Sequence, residues 1–229
     1  MIMHVVERAT RARFVGRVLV ATDDQRIADA VHSHGGEAQL TSPFAASGTD
    51  RVAEAAGLLD AELIVNVQGD EPLIEPSTID AAVEALLEDP ELQMSTTSEP
   101  IVSVEDVFNL GVVKVVTDSK GFALYFSRSP VPYTRTVEGQ TLKDLLRREP
   151  LRLRNYRKHS GLYAYRNRFL QDFAGMEPSL LEKLEALEQL RALENGIRIR
   201  VVPVAHRSIG VDTEQDYERA KQIIEENAQ

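Results

Sequence analysis

Two acidic turns in this chain of 229 residues have the residue types for phosphate and metal chemistry. Val65-Asn-Val-Gln-Gly-Asp-Glu-Pro72 runs from an apolar segment straight into a polar, glycine-containing turn with two adjacent acids. Ser208-Ile-Gly-Val-Asp-Thr-Glu214 follows a second apolar segment. Ligands of open parallel sheets bind beyond the carboxyl ends of the strands. An aspartate placed there can hold Mg²⁺ through one carboxylate, while phosphate oxygens and waters fill the other positions. Asp70 and Asp212 therefore suit a shared Mg²⁺ beside a triphosphate, on the condition that their loops lie side by side. Each acid alone has a plainer use: Asp70 can cap a turn, and Asp212 or Thr213 can cap the helix that follows, with Asp216 completing the box. Ser47-Gly-Thr-Asp-Arg51 is a small-residue turn opening a helix, where backbone N–H groups favour an anion or a polar base edge. Between Lys143 and His159, seven Lys or Arg face two acids. That stretch is either a solvated loop or a field that attracts an anionic sugar. His32 and His34 point to different sides of a helix, and neither a Ser-His-Asp spacing nor a Walker lysine loop is present.

The elements that must position these groups alternate along the chain. Helical periodicity covers residues 1–11, a β-branched run follows at 17–21, and Thr22-Asp23-Asp24 offers three possible N-caps for a helix that Gly35-Gly36 stops after His34. A strand at 37–40, a helix at 49–59, an apolar strand at 63–67 and a helix at 76–87 continue the pattern. Strands are expected at 94–97, 112–116, 124–127 and 161–165, joined by loops, with 130–158 the least regular part. Ser179 and Glu182 form a capping box for one helix to about Leu193, followed by a strand at 197–202 and a last helix at 213–227. Strands alternating with helices imply an α/β class with a mainly parallel, doubly wound sheet. The apolar fraction of 43% suits a sizeable core in a single domain. A net charge of −10 argues against broad nucleic-acid binding. The absence of cysteine excludes disulfides, a thiol nucleophile and Cys-ligated zinc. Neither a membrane span nor a signal peptide is visible, which leads to the expectation of a cytoplasmic protein.

Six segments in order carry a family likeness: Ser47-Gly-Thr-Asp-Arg51, Val65 to Pro72, Ala123-Leu-Tyr-Phe-Ser-Arg128, His159-Ser-Gly-Leu-Tyr163, Leu187-Glu-Gln-Leu-Arg191 and Gly210-Val-Asp-Thr213. Together they resemble the 3-deoxy-D-manno-octulosonate (Kdo) cytidylyltransferases of lipopolysaccharide assembly, over nearly the whole chain. The resemblance implies a Rossmann-like nucleotidyltransferase fold, with a mixed, mainly parallel sheet, helices on both faces and a smaller dimerisation and sugar-binding lobe at about 120–175, a Mg²⁺ requirement and a homodimer. It implies transfer of CMP from CTP to the 2-hydroxyl of Kdo, with release of pyrophosphate. By the same resemblance, Asp70 and Asp212 hold the metal, and Gln68, Ser47 and Arg51 contact the cytidine and its phosphates. Arg128, His159, Tyr163 and Glu188, with Gln189 beside it, form the sugar-acid site and should converge on one cavity.

The family's first strand and its Pro-Ala-Arg…Arg-Leu-Pro-Gly-Lys-Pro phosphate loop have no counterpart in these residues, and 137–158 is longer and more basic than the family pattern. An open sheet edge and a weakened grip on the triphosphate are the corresponding expectations. Two other readings stand beside the first: a cytidylyltransferase for another acidic sugar, and a non-catalytic truncated relative.

Overall fold

The computed structural model describes residues 1–227 apart from Ala46, Arg207, Ser208 and Asp212. Its first part follows the expected order: α1 (Ile2–Thr10), β1 (Val20–Thr22), α2 (Gln25–Ser33), β2 (Ala38–Leu40), α3 (Gly48–Ala56), β3 (Leu63–Asn66) and α4 (Pro76–Glu88). Local chemistry sets the helix starts. The Asp24 carboxylate accepts from the Arg26 N–H at 2.8 Å, the Ser47 hydroxyl accepts from the Asp50 N–H at 3.1 Å, and Pro76 opens α4, where its missing N–H costs nothing. Then come β4 (Met94–Pro100), α5 (Val104–Phe108), β5 (Lys114–Thr117), β6 (Ala123–Ser127), α6 (Leu142–Arg148), a 3₁₀ turn Pro150–Asn155, β7 (Arg157–Arg166), α7 (Asn167–Ala174), α8 (Leu180–Glu185), α9 (Gln189–Glu194), β8 (Ile199–Pro203) and α10 (Glu214–Asn227).

The sheet is mixed, as expected, but most of its pairings are antiparallel, which corrects the expectation of a mainly parallel one. Strands β6-β5-β7-β4-β8 lie in that order, and β3 pairs with β7 beside them. Only β4–β8 is parallel in this sheet, whereas β3–β7, β4–β7, β5–β6 and β5–β7 are antiparallel. The cause is β7, which runs antiparallel to β4 on one edge and to β3 and β5 on the other. After Met94 the links include a short turn at Gly121, whose positive φ of 80° closes the β5–β6 hairpin. Such links permit antiparallel neighbours, which βα alternation in the first ninety residues did not reveal. A separate parallel pair, β1–β2, joins neither β3 nor any other strand of the described residues.

Alternation along β7 divides the core. Leu162 and Ala164 face α1 and α4, with Val5, Ala9, Ile79 and Leu86. Tyr165 faces the other way, against Phe126, Phe169, Phe173 and Leu190. Residues 130–158, read as irregular, contain α6 and a small core of their own, in which Leu146 and Tyr156 meet Ile101 and Val107. The single helix expected from Ser179 to Leu193 is two, because Ala186 adopts a left-handed conformation at φ 51° and ψ 51°.

Lys114 is fully buried at the start of β5. Its ammonium donates to the carbonyls of Asn109 (2.9 Å), Val112 (2.6 Å) and Arg128, using all three protons. Lys114→Met should therefore leave three carbonyls without their donor and cost about 3 kcal/mol, or roughly 6–12 °C of melting temperature. Chemical denaturation of the two proteins side by side checks the loss.

Candidate active site

A cavity of about 210 Å³ opens where β3, β7, α3 and α9 meet. Its polar lining comes from Thr49, Asn66, Gln68, Tyr163, Glu188 and Gln189, and its apolar floor from Met94, Tyr165 and Phe173. Each polar group is delivered by a local feature. Gln68 leaves the end of β3, and Thr49 stands in the first turn of α3. Tyr163 is aimed by a bulge in β7: Thr96 pairs with Tyr163 and Ser98 with His159, so two steps of β4 oppose four of β7. Gly161 lies inside that bulge at φ 71°, a conformation that glycine adopts without a steric penalty, and its Cα faces the Gln68 side chain.

Glu188 and Gln189 reach the cavity through the break between α8 and α9. The Arg128 guanidinium donates to the carbonyls of Glu185 (2.8 Å), Ala186 (3.2 Å) and Leu110 (3.0 Å). In return the Glu185 carboxylate accepts from the Ser127 hydroxyl at 2.7 Å and the Arg128 N–H at 3.0 Å. These tertiary bonds outcompete continuation of the helix. Arg191, almost fully buried, grips Glu182 with two parallel bonds of 2.6 and 2.9 Å and holds α9 against α8. The Glu188 carboxylate then accepts from the Ser47 hydroxyl at 2.8 Å and from the Thr49 hydroxyl, so α3 and α9 are joined across the cavity.

Two buried polar atoms on lining residues, the Tyr163 hydroxyl and the Gln189 amide nitrogen, have no hydrogen-bond partner in the structure. Buried groups of this kind cost stability, so their presence in a cavity wall points to a ligand that completes them. Burial, with the nearby Tyr165 and Glu188, pushes the Tyr163 phenol well above its ordinary pKa and keeps it a donor. His159 stands one layer behind, its ring 5.1 Å from that of Tyr163. The Thr96 hydroxyl donates its single proton to the Leu162 carbonyl (2.6 Å), so it accepts from Nε2–H of His159 (2.9 Å). Burial, with the Lys158 charge second, holds the imidazole pKa down at about 3.

Of the residues expected from the sequence, Gln68, Tyr163, Glu188 and Gln189 line this cavity and Ser47 sits at its rim through Glu188. Arg128 and His159 do not line it: the guanidinium is committed to three carbonyls and the imidazole to Thr96. Arg51 is tied to Asp23 (2.9 Å) and Thr41 (2.8 Å) on the β1 side. Asn66 and Thr49 escaped the sequence reading. A polar residue inside the apolar run Leu63–Val67 was the available signal for Asn66.

Asp212 lies outside the described residues. Its neighbour Val211 donates its N–H to the Asp70 carbonyl at 2.9 Å, so the loop before α10 lies against the acidic turn. Thr213 caps α10 reciprocally with Asp216, as the spacing implied. Among the described residues no three His, Cys, Asp or Glu gather to hold a metal by themselves. Hard oxygen donors at a strand end, without an all-protein cage, suit a Mg²⁺ that keeps waters and takes its remaining ligands from phosphate.

Residues 1–199 match the family model described as cytidylyltransferase, which places the chain among the nucleotidyltransferases. The chain is 55% identical over 219 residues to a 3-deoxy-manno-octulosonate cytidylyltransferase of Geobacter sulfurreducens, an alignment covering 96% of this chain and 86% of the relative. It is 45% identical to one of Solibacter usitatus, over 98% and 84% of the two chains. A solved CMP:2-keto-3-deoxy-manno-octonic acid synthetase complexed with CTP superposes with a TM-score of 0.86 at 38% identity, covering 99% of this chain and 88% of its own. The chain belongs to the 3-deoxy-manno-octulosonate cytidylyltransferase family. No helix among the described residues is long and apolar enough to cross a membrane.

His159 sets a pH dependence of stability. The unfolded chain takes up this proton near pH 6.5 and the folded chain only near pH 3, so stability is lost as pH falls through the interval. A loss of about 2 kcal/mol is expected between pH 6.5 and 5, where carboxylates contribute little. Denaturation at the two pH values measures it, and the His159 ring NMR signals should stay constant across the same range.

Proposed function

We infer that the chain transfers CMP from CTP to Kdo, giving CMP-Kdo and pyrophosphate. The cavity between Gln68, Tyr163, Glu188 and Gln189 carries this reading, because its two unpartnered buried donors and its carboxylate match a polyhydroxylated sugar acid. In this reading Glu188 accepts from sugar hydroxyls, and Tyr163 and Gln189 donate to hydroxyl or carboxylate oxygens. Gln68, with Ser47 and Arg51 along the α3 side, faces the nucleotide. The 2-hydroxyl attacks the α-phosphate and pyrophosphate leaves; no covalent enzyme intermediate is needed. Asp70, with Asp212, would hold Mg²⁺, which when bound neutralises the triphosphate. The protein's own contribution is alignment, since correctly held reactants supply much of the barrier reduction.

Arg128 enters through Glu188, because it clamps the Ala186 turn that aims α9. A direct contact with the sugar carboxylate requires the guanidinium to give up one of its carbonyls. A homodimer is part of the proposal. Leu124 on β6, the last strand of the sheet, and Leu180 and Leu184 on the adjoining α8 are each more than 60% exposed, a face that a second copy can cover.

Pyrophosphate release with CTP and a panel of acidic sugars tests the assignment, with Kdo expected to be turned over most efficiently. Glu188→Gln should raise KM for the sugar about tenfold while KM for CTP changes little. Tyr163→Phe should weaken sugar binding and leave the melting temperature equal or higher, because it removes a buried hydroxyl that has no partner in the unliganded protein. Asp70→Asn should lower kcat by about two orders of magnitude with the fold intact.

A further inference from the structure

The sheet beneath the 210 Å³ cavity changes character between two neighbouring rows of side chains. Strand register sets the rows. Asn66 stands opposite Tyr163 and Tyr163 opposite Thr96, a polar row across β3, β7 and β4. Two residues along each strand, Ile64, Tyr165, Met94 and Ile199 stand opposite one another in the same way. Side chains two apart on a strand share a face, so both rows lie on the cavity side, about 6.6 Å from each other. The second row offers nothing polar to a ligand. Ile64, Met94 and Ile199 are buried hydrocarbon and thioether, and the Tyr165 hydroxyl is directed at Thr49. The Tyr165 ring is stacked on Phe169 and Phe173, at centroid distances of 6.5 and 6.3 Å. Phe173 is in turn covered by the Arg191 guanidinium at 5.1 Å, which Glu182 holds in place. A floor packed in this way cannot turn a polar group toward an incoming hydroxyl. Met94, fully buried, is the aliphatic member of this row that lines the cavity.

We propose, resting on the reaction assigned above, that Met94 is a specificity-determining residue: it receives the one ring carbon of the sugar acid that carries no oxygen, and it excludes sugar acids hydroxylated there. Tyr163, Gln189 and Glu188 hold oxygens over and beside the polar row. A ring anchored by them bridges the spacing between the rows and lays a neighbouring carbon on Met94. In Kdo the reacting C2 bears the carboxylate, and the ring carbon bonded to it, C3, is a methylene. That methylene meets the floor with nothing but the release of water. A hydroxyl in its place would be stripped of water against a thioether and an aromatic ring, neither of which replaces the lost hydrogen bonds. The walls thus bind sugar acids as a class, and the floor chooses the deoxy members.

The probes are Kdo and the octulosonic acid that differs from it by one hydroxyl at C3, each assayed with CTP by pyrophosphate release. The unmodified protein should favour Kdo in kcat/KM by about ten- to a hundredfold, the range an apolar pocket reaches against an added hydroxyl, and chiefly through KM. Met94→Gln puts an amide on the floor at nearly the same volume. It should narrow the preference about tenfold by improving use of the hydroxylated sugar. Met94→Leu keeps the floor apolar and should leave the preference within about twofold of its original value. Met94→Thr is the second polar variant, and melting curves of all three show whether each is folded. Equal use of the two sugars by the unmodified protein would overturn the proposal and leave the assigned reaction standing. A Met94→Gln protein that is folded but loses both sugars equally, or a Met94→Leu protein that loses the preference, would overturn it as well, since Met94 would then act through packing alone. Turnover of neither sugar would remove the assigned reaction and this proposal together.

Discussion

The left-handed turn at Ala186 is the constraint on which the site depends. A non-glycine residue in that conformation costs about 1–2 kcal/mol, and here it is held by bonds from outside its own helices. Arg128 takes the carbonyls on both sides of the break, and the Glu185 carboxylate returns two bonds to Ser127 and Arg128. Without the turn, α8 would continue, and Glu188 and Gln189 would rotate away from Ser47, Thr49 and Tyr163. The strain is local, and its benefit is the meeting of α3, β7 and α9 around one small volume.

A related economy governs charge. The chain carries a net −10, yet several of its cations point inward. Lys114 and Arg191 are buried, and each is met by carbonyls or by a carboxylate within 3 Å. Arg191 is raised in pKa chiefly by its bonds to Glu182. Positive charge is thus used as mortar between elements. The exposed surface stays acidic even though a nucleotide triphosphate and a sugar acid are both anions.

Much of this was readable from the residues. Thr22-Asp23-Asp24, Ser47 and Pro76 announce helix starts because capping is a local interaction, whereas the bulge at Gly161 lies where only a plain strand was expected, because it depends on the register against β4. Other features depend on partners distant in sequence. The direction of β7 is decided by pairing with Leu63–Asn66 and Met94–Pro100, partners that lie far back along the chain and that no local pattern reveals. The break at Ala186 is decided by Arg128, and nothing in Leu180–Glu194 itself opposes a continuous helix. The occupation of Arg128 by three carbonyls is equally invisible, since an arginine in a family motif reads first as a substrate group.

The Ser47 hydroxyl carries a single proton, and it donates it to Glu188 while accepting from the Asp50 N–H. A ligand acceptor that needs this proton must draw it from Glu188, which would then keep one hydroxyl donor, Thr49, and a freer oxygen. Any two ligands that meet these two groups are linked through that proton, and thermodynamic linkage requires the effect to be equal in both directions. One hydroxyl group thus ties the first turn of α3 to the start of α9, and its single proton can serve only one acceptor at a time.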